Sequence, residues 1–454
     1  MDFLKSLFDE GMNVVRLNTA HQSLEDALKV IRNVREVSER IALLLDTKGP
    51  EIRTTQVSED IYLKQGESLV LRGDDGTSQP QGAFCVSYPD FVKDLEVGKR
   101  ILIDDGELEL LVIEKNDDHL VVSAQNEGVI KDRKSVNVPG VNINLPSLSD
   151  KDRAFIEFAI EQDLDFIAHS FVRKKEDVLE IQRILDAHNS DIKIIAKIEN
   201  QEGVDNILEI LDVVYGVMVA RGDLAIEIPA ERIPVIQRSI VNKCIERKKV
   251  VIIATQMLHT MIEHPRPTRA EVSDIANAIY NRTDAIMLSG ETAYGQYPLE
   301  AVRVMTRVAQ EVEKSLTPDV DQSLVQIQNE ITAVLARSAV KASIQLPVKA
   351  VVTDTLTGRT GRYLSAYRGT VPVYALCYSK RVMRELALSY GVEADYKELL
   401  ASRDEYVKEA MLTLMGKGYF TNEDSVIILG GSFGPSKGVN FMEISNVYQL
   451  THKV

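Results

Sequence analysis

At 454 residues the chain is too long for one ordinary hydrophobic core, and two to four domains are expected. It is 44% hydrophobic and 27% charged, the balance of a soluble globular protein. A formal net charge of −15 argues against sequence-independent binding to nucleic acid or to anionic membrane, because both need an excess of positive charge. Anionic substrates remain allowed, provided that Arg, Lys or a metal clusters locally. The opening MDFLKSLFDEG is too short and too charged for a signal peptide, and no apolar run approaches the ~20 residues of a membrane span. Cys85, Cys244 and Cys377 lie far apart with no CxxC pair, so they read as reduced thiols of a cytoplasmic protein.

The chain opens on a helix, Phe3–Glu10. Short apolar runs then recur, each followed by a helical pattern: Asn13–Leu17, Ile41–Leu45, Phe166–His169, Ile192–Lys197, Val214–Ala220, Val250–Thr255 and Ala285–Leu288. Strands alternating with helices such as LEDALKVIRNVREVSERI imply βαβ units and a parallel sheet. Polar residues end most of these runs: Arg16 and Asn18, Asp46, Lys197 and Glu199, Asp223, Thr255, Glu291. In a (β/α)₈ barrel that end carries the chemistry. A doubly wound sheet would also bind ligands there, but no Gly-rich turn follows the first strand. Seven such strands are present rather than eight, so the sequence is expected to begin one barrel strand late.

Between residues 50 and 147 the pattern changes to short strands separated by Gly, Asp and Asn, with no convincing helix; an inserted β-rich domain is predicted. The barrel is expected over 1–49 and 148–317. Beyond it, residues 318–454 alternate again as a separate α/β domain. Its expected elements are helix 329–344, strand Lys349–Thr353, helix Gly361–Tyr367, strand Val371–Leu376, helix Lys380–Ser389, helix Ser402–Lys417, strand Ser425–Leu429 and a closing strand near Val447.

Lys197 and Glu199, two apart in KIENQEG, leave the same face of a strand. Asp223, at the end of the next strand, is the second carboxylate that Mg²⁺ would take from protein, leaving its other positions to water and substrate oxygens. A lysine beside them suits a developing oxyanion, although the same pair also suits a structural ion pair. N–H groups at Gly222 and Asp223 open a helical segment and could hold carboxylate or phosphate. Thr255 offers a hydroxyl at the following strand end, where a helix N-cap is the competing reading. Arg16 and Arg53 are suited to forked recognition of phosphate, or to plain solvation. In VVTDTLTGRTGRYL, the loop with Thr355, Thr357 and Thr360 is either a phosphate cradle or an ordinary turn and cap.

Together these segments resemble the pyruvate kinase family along essentially the whole chain. GMNVVRLN, LLLDTKGPEIRT, LIDDGELEL, VNVPGVNINLPSLSDKD, AHSFVR, KIENQEGVDN, MVARGDLAIEIP, ATQML, PRPTRAEVSDIANAI and TDAIMLSGETAYGQYPLEAV occur in that family's order and spacing. The resemblance implies a (β/α)₈ TIM barrel with an inserted β-barrel lid and a C-terminal α/β regulatory domain. It implies phosphoryl transfer from phosphoenolpyruvate to ADP. Glu199 and Asp223 would hold Mg²⁺ (or Mn²⁺), and Lys197 would stabilise the phosphoryl group and the enolate. Gly222, Asp223 and Thr255 would hold the substrate carboxylate, with Thr255 also on the enolate protonation route. Arg16 would contact the phosphate, while Arg53, His21, Lys134 and Asn18 would serve the nucleotide.

A K⁺ ion is implied at Asn18, Asp46 and Thr47, but Ala20 stands where the family motif RLNFSHG has serine. Glu51 fits the K⁺-dependent pattern, so weakened but retained K⁺ activation is expected. Ala225 and Tyr215 are milder departures, at positions where the family usually has Gly and Asp. The family's opening motif TKIVxTIGP has no match, and the polypeptide as written is expected to be impaired. The loop of Thr355, Thr357, Gly358, Arg359 and Thr360 resembles a cradle for a sugar-phosphate effector, with GGSFGPSKGVN as its closing loop. A homotetramer is implied by resemblance alone. The competing readings are another metal-dependent barrel acting on pyruvate enolates and a binding pseudoenzyme. The first leaves the inserted domain unexplained, and the second leaves the intact Lys197, Glu199, Asp223 and Thr255 unexplained.

Overall fold

A computed structural model describes residues 2–76, 83–141, 143–316, 331–398, 403–431 and 439–452. Seven parallel strands follow one another in chain order: β1 (Val14–Asn18), β2 (Ala42–Asp46), β3 (Phe166–His169), β4 (Lys193–Ile198), β5 (Gly216–Ala220), β6 (Val250–Ala254) and β7 (Ala285–Ile286). The central strands β2, β3, β5 and β6 are buried on both sides and read as nearly continuous apolar runs, while β1 and β7 are half-buried. Leu43, Leu45, Ile167, Ile194, Ala196, Val217, Val219, Val251 and Ile253 face the surrounding helices. The alternate residues Ala42, Leu44, Phe166, Ala168, Ile195, Met218, Val250, Ile252 and Ala254 fill the interior. That alternation is the period of two expected of a strand.

Sheet register sets the chemistry. Asn18 lies opposite Asp46, Asp46 opposite Ala168, and His169 opposite Ala196. The C-terminal strand ends therefore share one rim. Four of the helices between strands start where short polar residues cap them. Ser23 accepts the Asp26 N–H, Asn200 accepts the Gly203 N–H, and Ser149 and Thr268 form reciprocal capping boxes with Asp152 and Glu271.

The insertion after β2 has its own core, from Ile52 to Val138, around a seven-stranded mixed sheet. Contrary to the sequence expectation it contains one helical turn, Phe91–Asp94, with Phe91 and Val92 buried in that core. Burial of two adjacent apolar side chains outweighs the weak propensity of so short a segment.

The last domain is a five-stranded sheet ordered β10-β9-β8-β11-β12, from β8 (Val348–Thr355), β9 (Val373–Cys377), β10 (Val392–Tyr396), β11 (Ser425–Gly431) and β12 (Val439–Asn446). Two expectations change here. Strand β10 was not read from the sequence, and the closing strand expected near Val447 runs just before it, as β12, with Val447 itself starting a helix, Val447–Thr451. Asn446 ends β12 by turning its side chain to accept the Tyr448 N–H, which is a helix cap. The expected helix Lys380–Ser389 divides into an α-helix, Lys380–Glu385, and a 3₁₀ turn, Leu386–Leu388.

That turn joins the two domains. Leu388 packs into the barrel interior cluster from the N-terminal side of the strands, with Ala387 beside it. Tyr215 donates its hydroxyl to the Glu385 carbonyl at 3.2 Å, and Arg384 Nε lies 2.5 Å from Asp165. The C-terminal domain is thus the floor of the barrel, opposite the rim. All three cysteines are buried free thiols, as expected of reduced cysteines. Among the described residues no helix is long and apolar enough to cross a membrane.

Candidate active site

Lys197 is the last inward residue of β4, and its side chain is 11% exposed. Its ammonium donates to Ser170 Oγ at 2.7 Å, Glu199 Oε1 at 2.9 Å and Asp46 Oδ1 at 3.1 Å. Glu199, 2% exposed, accepts the Phe171 N–H on its other oxygen at 2.6 Å. Asp46 is also held by Arg16 Nε at 2.5 Å.

The charges divide unevenly. Asp46 faces both Lys197 and Arg16, which overcome its burial and hold it below the usual carboxylate range. Glu199 has only a share of Lys197. Burial, with the like charge of Asp223 adding to it, pushes Glu199 up to about 7. Lys197 stays protonated: the two carboxylates outweigh its burial and raise it above its ordinary value. The result is a charged lysine between one carboxylate with two cationic partners and one with a single shared cation.

Asp223 lies in the short helix Arg221–Glu227 that follows β5. Gly222 donates its N–H to Thr255 Oγ1 at 2.8 Å, so these predicted neighbours do meet. Thr255 does not cap a helix of its own segment; its hydroxyl instead accepts the N–H from the first turn of Arg221–Glu227. It takes a left-handed φ of +69°, followed by Gln256 at +53°, a strained geometry for a β-branched residue. Arg221 holds it there, donating to the Thr255 carbonyl at 2.7 Å and the Ala254 carbonyl at 3.3 Å while paired with Asp274. The structure therefore brings Arg16, Asp46, Lys197 and Glu199 into contact, sets Asp223 against Glu199, and joins Gly222 to Thr255.

The predicted nucleotide residues are placed more loosely. Arg53 is gripped by Glu51 through two nitrogens, at 2.9 and 2.7 Å, and donates to the Arg133 carbonyl. Lys134 pairs with Asp104 at 2.7 Å. Both lie on the inserted domain, where Arg53 pairs with Ser135 in a β-bridge. His21 is exposed, and the Asn18 side chain accepts the Ala20 N–H at 3.1 Å. A cavity of about 510 Å³ separates the inserted domain from the rim, with Glu51, Ser135 and Asn137 on one side and Phe171, Asn200 and Asp223 on the other.

Two partners were not singled out from the sequence. Ser170 and Phe171, in AHSFVR just past β3, hold Lys197 and Glu199. Gly49 makes room for them: it adopts φ +72°, and a Cβ there would fall 2.9 Å from Ser170 Cβ and 2.8 Å from the Phe171 ring. In the C-terminal domain the loop after β8 places Thr355 and Thr360 among buried residues around Gly358 at φ +72°, with Arg359 starting the next helix and the Thr357 carbonyl accepting from Arg362. Most of the segment expected to close over it, 432–438, lies outside the described residues.

A parallel barrel sheet with lysine and carboxylates at its C-terminal rim, an inserted β domain facing that rim and an α/β domain beneath define a class of barrel enzyme. The comparisons narrow it. A family model for the pyruvate kinase barrel domain matches residues 1–302, and one for the pyruvate kinase alpha/beta domain matches 333–445. A pyruvate kinase of Borreliella burgdorferi is 48% identical over 451 residues, 98% of this chain and 94% of that protein. One from Geobacillus stearothermophilus is 44% identical over 464 residues, 100% of this chain and 79% of the relative. The crystal structure of a pyruvate kinase from Cryptosporidium parvum superposes with a TM-score of 0.93 at 36% identity, covering 98% of this chain and 93% of that one. The chain belongs to the pyruvate kinase family and is a phosphotransferase.

Proposed function

We propose that the chain transfers the phosphoryl group of phosphoenolpyruvate to ADP at the rim formed by Lys197, Glu199, Asp223 and Thr255, giving pyruvate and ATP. The observation that carries this reading is the buried Lys197 between two carboxylates whose environments differ. Asp46 has Arg16 as a second cation, whereas Glu199 only shares Lys197 and feels the like charge of Asp223, so burial pushes it up.

That imbalance fits a divalent cation. Glu199 and Asp223 would hold Mg²⁺ (or Mn²⁺), and two protein carboxylates suit an ion that keeps several water and substrate oxygens. The bound ion supplies neutralisation of charge on the transferred phosphoryl group. Lys197 directs its ammonium at the same charge and at the enolate left behind. Arg16 grips the phosphate. The N–H groups of Gly222 and Asp223 and the Thr255 hydroxyl hold the substrate carboxylate, and Thr255 lies on the path of the proton delivered to the enolate carbon. Arg53, His21, Lys134 and Asn18 orient ADP, and the inserted domain closes as a lid to exclude water.

For K⁺ the fit is poorer. Asn18, Asp46 and the Thr47 carbonyl would be its ligands, but the Asn18 oxygen already accepts from Ala20 N–H, and Thr47 O accepts from Ser170 at 2.6 Å. Ala20 offers no side-chain oxygen. Weakened K⁺ activation follows. Pyruvate formation from phosphoenolpyruvate and ADP should be absent without Mg²⁺. With Mg²⁺ saturating, it should rise on adding K⁺, by less than a full coordination shell would give. A rate indifferent to K⁺ would remove the K⁺ site, and transfer without any divalent ion would remove the Glu199–Asp223 assignment.

At the other end of the molecule, Thr355, Thr357, Gly358, Arg359 and Thr360 are proposed to cradle the phosphate of a sugar-phosphate effector. A cytoplasmic homotetramer completes the reading, supported by family likeness.

A further inference from the structure

We infer that Ser170 is a positioning residue for Lys197, a neutral anchor that aims the ammonium without cancelling its charge; the inference rests on the role proposed above for Lys197. Ser170 directly follows β3 and is 2% exposed. Its backbone N–H donates to Thr47 Oγ1 at 3.0 Å, and its hydroxyl donates to the Thr47 carbonyl at 2.6 Å. Both ends of the residue are therefore fastened to the chain just beyond β2.

A serine hydroxyl has one proton and two lone pairs. With the proton committed to Thr47, the oxygen presents lone pairs to Lys197 Nζ, 2.7 Å away. The alternative acceptor for that proton, Asp46 Oδ1, is farther, at 3.3 Å. The hydroxyl is thus polarised in one direction, from Lys197 through Ser170 to a backbone carbonyl.

Lys197 has three N–H bonds, and the three acceptors around it differ in kind. Asp46 and Glu199 are carboxylates: they orient the ammonium but also neutralise it, which works against stabilising negative charge on a substrate. Ser170 orients the ammonium and leaves its charge in place. The two carboxylates also have other calls on them, Asp46 from Arg16 and Glu199 from the cation it is proposed to hold. Ser170 is not itself a proposed ligand of either cation, and the Thr47 carbonyl it donates to has a second lone pair for the K⁺ proposed above, so the Ser170–Lys197 contact persists when the site fills. Gly49, which must lack a Cβ to let Ser170 and Phe171 approach, keeps the anchor rigid.

The test is steady-state kinetics and thermal unfolding of Ser170→Ala, Ser170→Cys and Lys197→Met in the full chain. Removing a charge-assisted hydrogen bond should lower kcat about 10–100-fold in both Ser170 variants, with the KM for ADP within about twofold and little change in unfolding temperature. Cysteine nearly matches serine in shape but is a weak acceptor, so it separates hydrogen bonding from packing and serves if the alanine variant fails to fold. Full turnover in Ser170→Cys, or kcat within twofold of the parent in Ser170→Ala, would overturn the inference. If Lys197→Met itself retains turnover, the role proposed for Lys197 has failed instead.

Discussion

Replacing Lys197 by methionine should abolish most of the phosphoryl transfer, lowering kcat by about 10³-fold or more while the protein still folds. Methionine keeps the length and apolar stem of lysine, so the packing along β4 survives. What disappears is the one cation shared by Asp46 and Glu199. Asp46 keeps Arg16, but Glu199 is left buried with a like charge, Asp223, as neighbour. Two consequences then separate. Charge developing on the phosphoryl group or enolate loses its fixed counter-charge, which appears in kcat. Glu199 meanwhile demands more from a bound cation, so the Mg²⁺ dependence should not weaken. A kcat within tenfold of the parent would remove Lys197 from the chemistry.

The largest effect on stability is expected at the opposite end of the barrel. Asp165 is fully buried between β2 and the C-terminal domain. It accepts the Leu43 N–H at 2.8 Å, Arg35 at 3.1 Å and Arg384 at 2.5 Å. Arg384→Leu keeps the apolar bulk and removes one of two counter-charges. Breaking a buried pair by deleting one partner costs about 3–5 kcal/mol, and the surviving Arg35 argues for the lower end, about 3 kcal/mol. Because Arg384 sits four residues before Leu388, which fills the barrel floor, the loss should loosen both domains together. The expected readout is a fall of several degrees in the unfolding temperature, partly restored by Arg384→Lys. An unchanged unfolding temperature would show that the domain junction does not depend on this pair.

Much of the architecture was legible because it is local. Period-two burial, cap residues and the change of pattern near Pro50 are written within a few residues of where they act. Lys197 and Glu199 were legible for the same reason: two apart on a strand means one face. Ser170 was not, because its partner Thr47 is 123 residues away and only the pairing of β2 with β3 brings them together. Arg16 on Asp46 depends likewise on register, here between β1 and β2. Leu388 reads as one more apolar residue in an amphipathic segment; nothing nearby says that it enters another domain's core. Strand β10, with the alternating VEADY, carries too few apolar residues to stand out, and among the described residues it is an edge strand paired with β9. The helix at Val447 could have been read, since Asn446 is a good cap directly before an apolar-periodic stretch.

Whether Glu199 and Asp223 form the metal site on which the chemistry is centred can be read without any turnover. Mn²⁺, a spectroscopic substitute for Mg²⁺, should bind the parent chain at a site whose loss is followed by electron paramagnetic resonance. Glu199→Gln and Asp223→Asn should each weaken that binding at least about tenfold, as expected when one of only two protein ligands loses its charge. Binding that is unchanged in both variants would contradict the account and place the metal, and with it the phosphoryl transfer, elsewhere.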